Sequence, residues 1–199
     1  QGAWYAGGRA MVTTSGGGFA LMEEGLSLSG ITETPVVIHL AQRPGPGTGL
    51  PTRTEQGDLN LALYAGHGDF PRLIFAPGNP VDAIDLMNKA FNMADRFQIP
   101  VIVLTDQFFL NAYQNIQKPD LSNLKTTKYI HKTQKDYQRY KLTANGVSPR
   151  GIPNLGEGLV CVDSDEHDTD GRITESFEVR EKMVEKRLKK LDALKNEAI

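Results

Sequence analysis

Arg43, Thr48, Thr52, Arg53 and Thr54 fall inside one continuous stretch, Gln42-Arg43-Pro44-Gly45-Pro46-Gly47-Thr48-Gly49-Leu50-Pro51-Thr52-Arg53-Thr54-Glu55-Gln56-Gly57-Asp58. A guanidinium can fork onto a carboxylate through two parallel N–H bonds, and threonine hydroxyls add neutral donors beside it. The chemistry on offer is the binding of a small anionic substrate. The plainer reading is an Arg43 ion pair with Glu33 or Asp58, with the threonines holding the loop backbone.

Other residue sets also carry chemistry. Thr13-Thr14-Ser15-Gly16-Gly17-Gly18 is a Gly turn that opens a helix at Phe19-Ala20-Leu21-Met22. Free N–H groups and the dipole at such a terminus attract an anion or a polar ring. It lacks the Gly-Lys-Ser/Thr ending of a phosphate-binding loop, and its contiguous glycines do not match a dinucleotide fingerprint. A plain tight turn explains it as well. His67 in Gly66-His67-Gly68-Asp69 is a candidate acid/base group or an ordinary turn histidine. Asp163-Ser164-Asp165-Glu166-His167-Asp168-Thr169-Asp170-Gly171 has the oxygen ligands of a hard-cation site without the EF-hand spacing. It reads equally as a solvated turn or a loop closing over a site.

These residues need elements to place them. Arg9 to Thr14, Thr34 to Ala41, Arg72 to Ala76 and Pro100 to Thr105 read as strands, the last three as buried apolar runs. Gly57 to Tyr64 resembles a short helix. Asn79 to Phe97 is an amphipathic helix with Asn79 as N-cap, Pro80 in the first turn, and Ile84, Met87, Phe91 and Ala94 on one face. Strand–helix alternation argues α/β, a mostly parallel sheet with helices on both faces. The Arg43 loop would then leave a strand at the carboxyl edge of the sheet, where such folds bind ligands. The chain divides into an α/β domain over 1–114, an extended arm over 115–174, and a charged helix from Glu175 to Leu194 within 175–199. That helix has a thin apolar stripe of Val179, Met183, Leu188, Leu191 and Leu194. Its mixed charges from Arg180 to Lys195 read as a solvated face that links to a following domain.

Bulk properties narrow the classes. The 199 residues carry a formal net charge of −2, no basic stripe that would bind nucleic acid, and no apolar run long enough to span a membrane. One cysteine, Cys161, excludes an internal disulfide and a Cys-cluster metal site from this chain alone, and fits a cytoplasmic setting. Gln1-Gly2-Ala3-Trp4-Tyr5-Ala6-Gly7-Gly8 lacks the regions of a signal peptide and reads as the end of a helix, so a strand–helix unit is expected before Gln1.

Together the motifs resemble the alpha subunit of the 2-oxoacid:ferredoxin oxidoreductases, closest to the 2-oxoglutarate type. The resemblance rests on Thr13 to Phe19, Gln42-Arg43 through Thr52, Glu55-Gln56-Gly57-Asp58-Leu59, Gly66-His67-Gly68-Asp69 and Ala90-Phe91-Asn92. On the arm and last helix it rests on Ser148-Pro149-Arg150, Asp165-Glu166-His167 and Lys186-Arg187.

The resemblance implies a thiamine-diphosphate pyrimidine domain and the coenzyme A-dependent oxidative decarboxylation of a 2-oxoacid to acyl-CoA, CO2 and reduced ferredoxin. It implies a partner beta subunit, further gamma and delta subunits or domains, and Mg2+ and an iron–sulfur cluster held by partner chains. Arg43 and Thr52 match substrate-binding positions. Thr14, Ser15 and Gly16 match the turn that approaches the aminopyrimidine, and Asp165 and His167 match a loop reaching the distal end of the substrate. Arg53 and His167 are candidates for a second carboxylate, which would favour 2-oxoglutarate over pyruvate or a branched-chain oxoacid. Pro44 and Gly47 stand where glycine and serine are usual. No catalytic residue is expected in this chain, because the glutamate that activates the cofactor would lie before Gln1. The competing reading is a non-catalytic α/β module that binds an anion or nucleotide at the Gly16–Gly18 turn.

Overall fold

The structure is a computed structural model, and it describes residues 1–197, so the end of the 175–199 segment lies outside the described residues. In chain order the elements are α1 (Gly2–Tyr5), β1 (Met11–Thr14), α2 (Gly16–Ala20), α3 (Glu23–Thr32), β2 (Val36–Gln42), α4 (Leu59–Tyr64) and β3 (Leu73–Phe75). They continue with α5 (Pro80–Phe97), β4 (Pro100–Asp106), α6 (Gln107–Asn111) and α7 (Phe177–Lys195). The strands pair in parallel in the order β1-β2-β4-β3. Every residue of β4 is buried, as a central strand covered on both faces requires.

Side chains alternate across the sheet and divide the core in two. On one face Val37, Val101, Val103, Leu73 and Phe75 meet Ala90, Met93, Ala94 and Phe97 of α5, with Trp4 of α1 and Leu194 of α7. On the other, Ile38, Leu40, Ile102 and Leu104 meet Phe19 of α2, Leu26 of α3, and Ala62 with Ala65 at α4. The helix over Asn79 to Phe97 forms as its sequence dictates. The Asn79 carboxamide oxygen accepts from the Val81 and Asp82 N–H groups at 2.9 and 3.0 Å, and Gln98 ends the helix at φ 54°. Its buried stripe lies slightly round from the expected one, centred on Ala90, Met93, Ala94 and Phe97, with Met87 and Phe91 at the margin.

Two elements differ from expectation. The Gly16–Gly18 segment is itself helical, and after a break the chain continues as α3 to Thr32, well beyond Met22. The buried face of α3 is Leu26, Ser27, Ser29, Gly30 and Thr32, too small and polar to show an apolar period. The glycine is required, since a Cβ at Gly30 would stand 2.5 Å from the Phe70 ring.

The last helix also departs. Lys186, Arg187 and Lys190 of α7 are buried, whereas Leu191 is 40% exposed. The face expected to be solvated is therefore docked, because acids wait for it, Glu33 buried and Glu166 half-buried. Glu33 pairs with Lys186 and Lys190, and Glu166 with Arg187. Between α6 and α7 the expected arm has no helix or strand among the described residues, and its isolated bridges there are Thr133 with Gly156 and His167 with Ile173. The arm follows the amino edge of the sheet. Arg139 donates to the Gln98 carboxamide and to the Glu33 carbonyl, immediately before β4 and β2.

Candidate functional site at the carboxyl edge of the sheet

β2 ends at Gln42, and Arg43 follows directly. Arg43 is half-buried, and its Nε is enclosed without a hydrogen-bond partner among the described residues. Glu33 lies before β2, at the other end of a seven-residue strand, roughly 20 Å away, and is spent on lysines. Of the two structural partners expected for Arg43, only Asp58 is close enough to act on it. Burial, reinforced by the Glu55 charge, lifts the Asp58 carboxyl above its usual range, while the backbone N–H and guanidinium of Arg43 pull it down. The Asp58 Oδ2 atom is also buried and unpartnered among the described residues.

The three glycines after Ser15 bring the neighbouring chain close. A Cβ at Gly16 would lie 2.3 Å from Asp58 Oδ1, at Gly17 3.3 Å from the Gly47 carbonyl, and at Gly18 2.0 Å from Thr14 Oγ1. The turn and the Arg43 loop are thus in contact, Gly16 at Asp58 where the loop ends and Gly17 at Gly47 in its middle. Gly47 sits at φ +62°, a conformation natural to glycine and costly for a serine. Thr52 lies on the same loop, exposed, with φ +64°.

Beside this surface, a cleft of about 400 Å3 opens over the ends of β2, β4 and β3, and Gln42, Gln56, Asp106, Pro77, Phe108 and Phe109 are among its lining residues. Gln56 Nε2 donates to Asp106 Oδ2 at 2.9 Å, and the Asp58 N–H donates to Gln42 Oε1 at 3.1 Å. Asp106 Oδ1 accepts from the Phe109 N–H at 2.7 Å and so caps α6. Just below, the His39 ring lies between Thr13 Oγ1 at 2.6 Å and Thr105 Oγ1 at 2.8 Å, tying β1, β2 and β4 together. Burial pushes His39 below its usual range, so at neutral pH one ring nitrogen donates and the other accepts. Sequence reasoning missed Gln42, His39 and Asp106. An Asp before Gln107-Phe108-Phe109 is a cap signal that would have found the last.

Asp165 and His167 are not part of this surface. His167 is wholly buried, with its ring 3.9 Å from that of Tyr140, whose hydroxyl donates to the Thr32 carbonyl before β2. The His167 Nδ1 contacts the Asp165 carbonyl at 2.9 Å. The acid-rich stretch is a hairpin against α7, where Glu166 takes two bonds of 2.9 Å from Arg187. Asp165 and His167, expected to meet the same ligand as Arg43, are placed within this chain at the opposite edge of the sheet from it. His67 is exposed in a turn, its backbone N–H given to Ser27 Oγ at 2.9 Å, also away from Arg43. Among the described residues no three His, Cys, Asp or Glu side chains gather as metal ligands, and no helix is long and apolar enough to cross a membrane.

Known proteins are similar to this chain. The chain is 45% identical over 196 residues to a 2-oxoacid:ferredoxin oxidoreductase subunit alpha of Saccharolobus solfataricus, covering 96% of this chain and 31% of that one. It is 38% identical over 167 residues to the 2-oxoglutarate synthase subunit KorA of Archaeoglobus fulgidus, covering 84% of this chain and 46% of that one. The solved 2-oxoglutarate:ferredoxin oxidoreductase of Magnetococcus marinus, with 2-oxoglutarate, coenzyme A and succinyl-CoA bound, superimposes with a TM-score of 0.92 at 36% identity. That match covers 98% of this chain and 34% of that one. The chain therefore spans between 31% and 46% of the length of these relatives. Residues 1–186 match the family of pyruvate flavodoxin/ferredoxin oxidoreductase thiamine-diphosphate-binding domains, and the chain belongs to that family.

Proposed function

We propose that this chain is part of the alpha subunit of a cytoplasmic 2-oxoacid:ferredoxin oxidoreductase. The reaction joins a 2-oxoacid, coenzyme A and oxidised ferredoxin to give acyl-CoA, CO2 and reduced ferredoxin, with 2-oxoglutarate as the oxoacid. The observation that carries the reading is Arg43: a half-buried cation at a strand end, with an unspent donor, on the loop that packs through Asp58 and Gly47 against Gly16 and Gly17. The names of the Magnetococcus and Archaeoglobus proteins support 2-oxoglutarate.

In this reading the Arg43 guanidinium forks onto the carboxylate next to the keto group, and Thr52 Oγ1 donates to the same substrate. Arg53, exposed on the same loop, is available for a second carboxylate. Asp165 and His167 hold the arm instead. Thr14, Ser15 and Gly16 present polar atoms and bare backbone to the aminopyrimidine of thiamine diphosphate. The fit is physical, since Gly17 is exposed with no side chain and the adjoining cleft pairs amide and carboxylate groups with apolar walls. When bound, thiamine diphosphate supplies a carbon nucleophile and an electron sink. The beta subunit holds its diphosphate and Mg2+, and partner chains, with gamma and delta subunits or domains where present, hold the iron–sulfur cluster that passes electrons to ferredoxin.

The test is Arg43→Ala in the assembled enzyme, assayed against a panel of 2-oxoacids. Removing one partner of a close charge pair predicts kcat/KM lower by about 100-fold or more, with the fold kept. Wild-type turnover would rule out the role. Calorimetry with thiamine diphosphate and nucleotides, with and without the beta subunit, tests the alternative: tight nucleotide binding by this chain alone would favour a non-catalytic module.

A further inference from the structure

Gln42 and Asp106 are opposite each other on the last rung of the β2–β4 ladder, and both are buried. Each holds the returning limb of the Arg43 loop, Gln42 through the Asp58 N–H and Asp106 through the Gln56 carboxamide. Between these anchors residues 45–57 are all exposed. The loop closes on itself through Gly49 N–H to the Pro46 carbonyl and Arg53 N–H to the Leu50 carbonyl. Such a segment cannot hold one shape by burial. Its shape is set where its limbs are fixed, and releasing a limb lengthens the loose chain that substrate must order.

Asp106 divides its two oxygens between two jobs. Oδ2 fixes Gln56 and Oδ1 starts α6, whose Phe108 and Phe109 wall the cleft. We infer that Asp106 is a positioning residue for this site: seated on the last rung of the sheet, its carboxylate sets the returning limb of the Arg43 loop through Gln56 and the cleft wall through the α6 cap. The inference rests on the reading of Arg43 as the carboxylate-binding group. It asks Asp106 to touch no substrate. Its contribution is a loop ordered before substrate arrives, so its loss falls on binding more than on turnover.

The test uses the assembled enzyme and the exposed partner, which leaves the core intact. Gln56→Ala removes the loop anchor while keeping the α6 cap. The expected result is a KM for the oxoacid raised about tenfold, in line with the loss of a charge-assisted hydrogen bond, with kcat within about twofold. Gln56→Glu sets two carboxylates against each other and raises KM further. Adding Asp106→Asn to that variant restores an amide facing a carboxylate with the roles reversed, and asparagine still caps α6. KM then returns towards wild type, a rescue that general loosening would not give. An unchanged KM in Gln56→Ala, or a double variant no better than Gln56→Glu, overturns the inference. If Arg43→Ala is damaging while Gln56→Ala is silent, only the inference fails. If Arg43→Ala is itself silent, the reading beneath it fails and the inference with it.

Discussion

Glu33 Oε2 lies 2.5 Å from Lys190 Nζ, and both side chains are 1% exposed. The other oxygen is 2.6 Å from Lys186 Nζ, also buried. Burial opposes the charge on Glu33, but the surrounding Lys190, Lys186 and Arg139 outweigh it and hold the carboxyl far below its ordinary range. Burial in turn brings Lys190 down to about 8. One acid thus joins the end of α3 to the arm and to α7, and it is the only acid paired with those two lysines among the described residues.

That imbalance makes the two ends of the pair unequal. Glu33→Gln leaves buried cations with no counter-charge and is expected to cost about 3–5 kcal/mol, read by denaturant unfolding at neutral pH. Lys190→Met leaves Lys186 and Arg139 still serving Glu33 and is expected to cost much less. Equal losses would show that the pairs act singly and not as a cluster.

The same residues set the response to acid. Glu33 refuses a proton in the fold at pH values where the unfolded chain accepts one. Its contribution is therefore complete above its ordinary value of 4.5 and drains away as pH falls below that. His167 adds an earlier window. Burial lowers its pKa, so the fold keeps it neutral while the unfolded chain charges as pH falls through 6.5. Stability is expected to decline first near pH 6.5 and again below 4.5. Unfolding midpoints measured from pH 8 to 3 should show both steps, with the lower one reduced in Glu33→Gln.

The turn at Gly16 gives a third expectation. A Cβ there would fall 2.3 Å from the Asp58 carboxylate, so Gly16→Ala must displace Asp58 or the loop it anchors. Overpacking of this kind costs about 1–3 kcal/mol. Asp58→Ala should relieve part of the strain, making the double variant more stable than the two single losses would sum to. Gly17→Ala, whose Cβ would be 3.3 Å from a carbonyl, should be much milder. Additive losses in the double variant would show that Asp58 is not what Gly16 makes room for.

These residues show what the sequence makes legible. The sheet and α5 could be read because their signals are local: continuous apolar runs, and Asn79-Pro80 at a helix start. Arg43 and the Gly turn were legible as a strand-end cation and a Gly run. The docking of α7 was not, because Lys186 and Lys190 look solvated until Glu33, more than 150 positions earlier, is placed beneath them. The packing of His167 was hidden for the same reason: an Asp-Glu-His run has the residue types of a site, and only the structure shows its ring against Tyr140. Pairing across long sequence separation leaves no periodic trace.

Thr52 carries the last prediction. It is β-branched, exposed, and held at φ +64°, where a side chain crowds the backbone and glycine does not. Strain of this kind persists where something other than stability retains it. If the Thr52 hydroxyl serves the substrate, relieving the strain must cost function. Thr52→Gly is expected to leave stability unchanged or raise it by about 1 kcal/mol, while KM for the oxoacid rises. Thr52→Ser keeps the hydroxyl and should keep KM near wild type. Unfolding curves and steady-state kinetics on the same two variants separate the effects. A Thr52→Gly enzyme with normal KM would mean that the hydroxyl does not bind substrate, leaving the left-handed backbone to be explained by the packing of the loop alone.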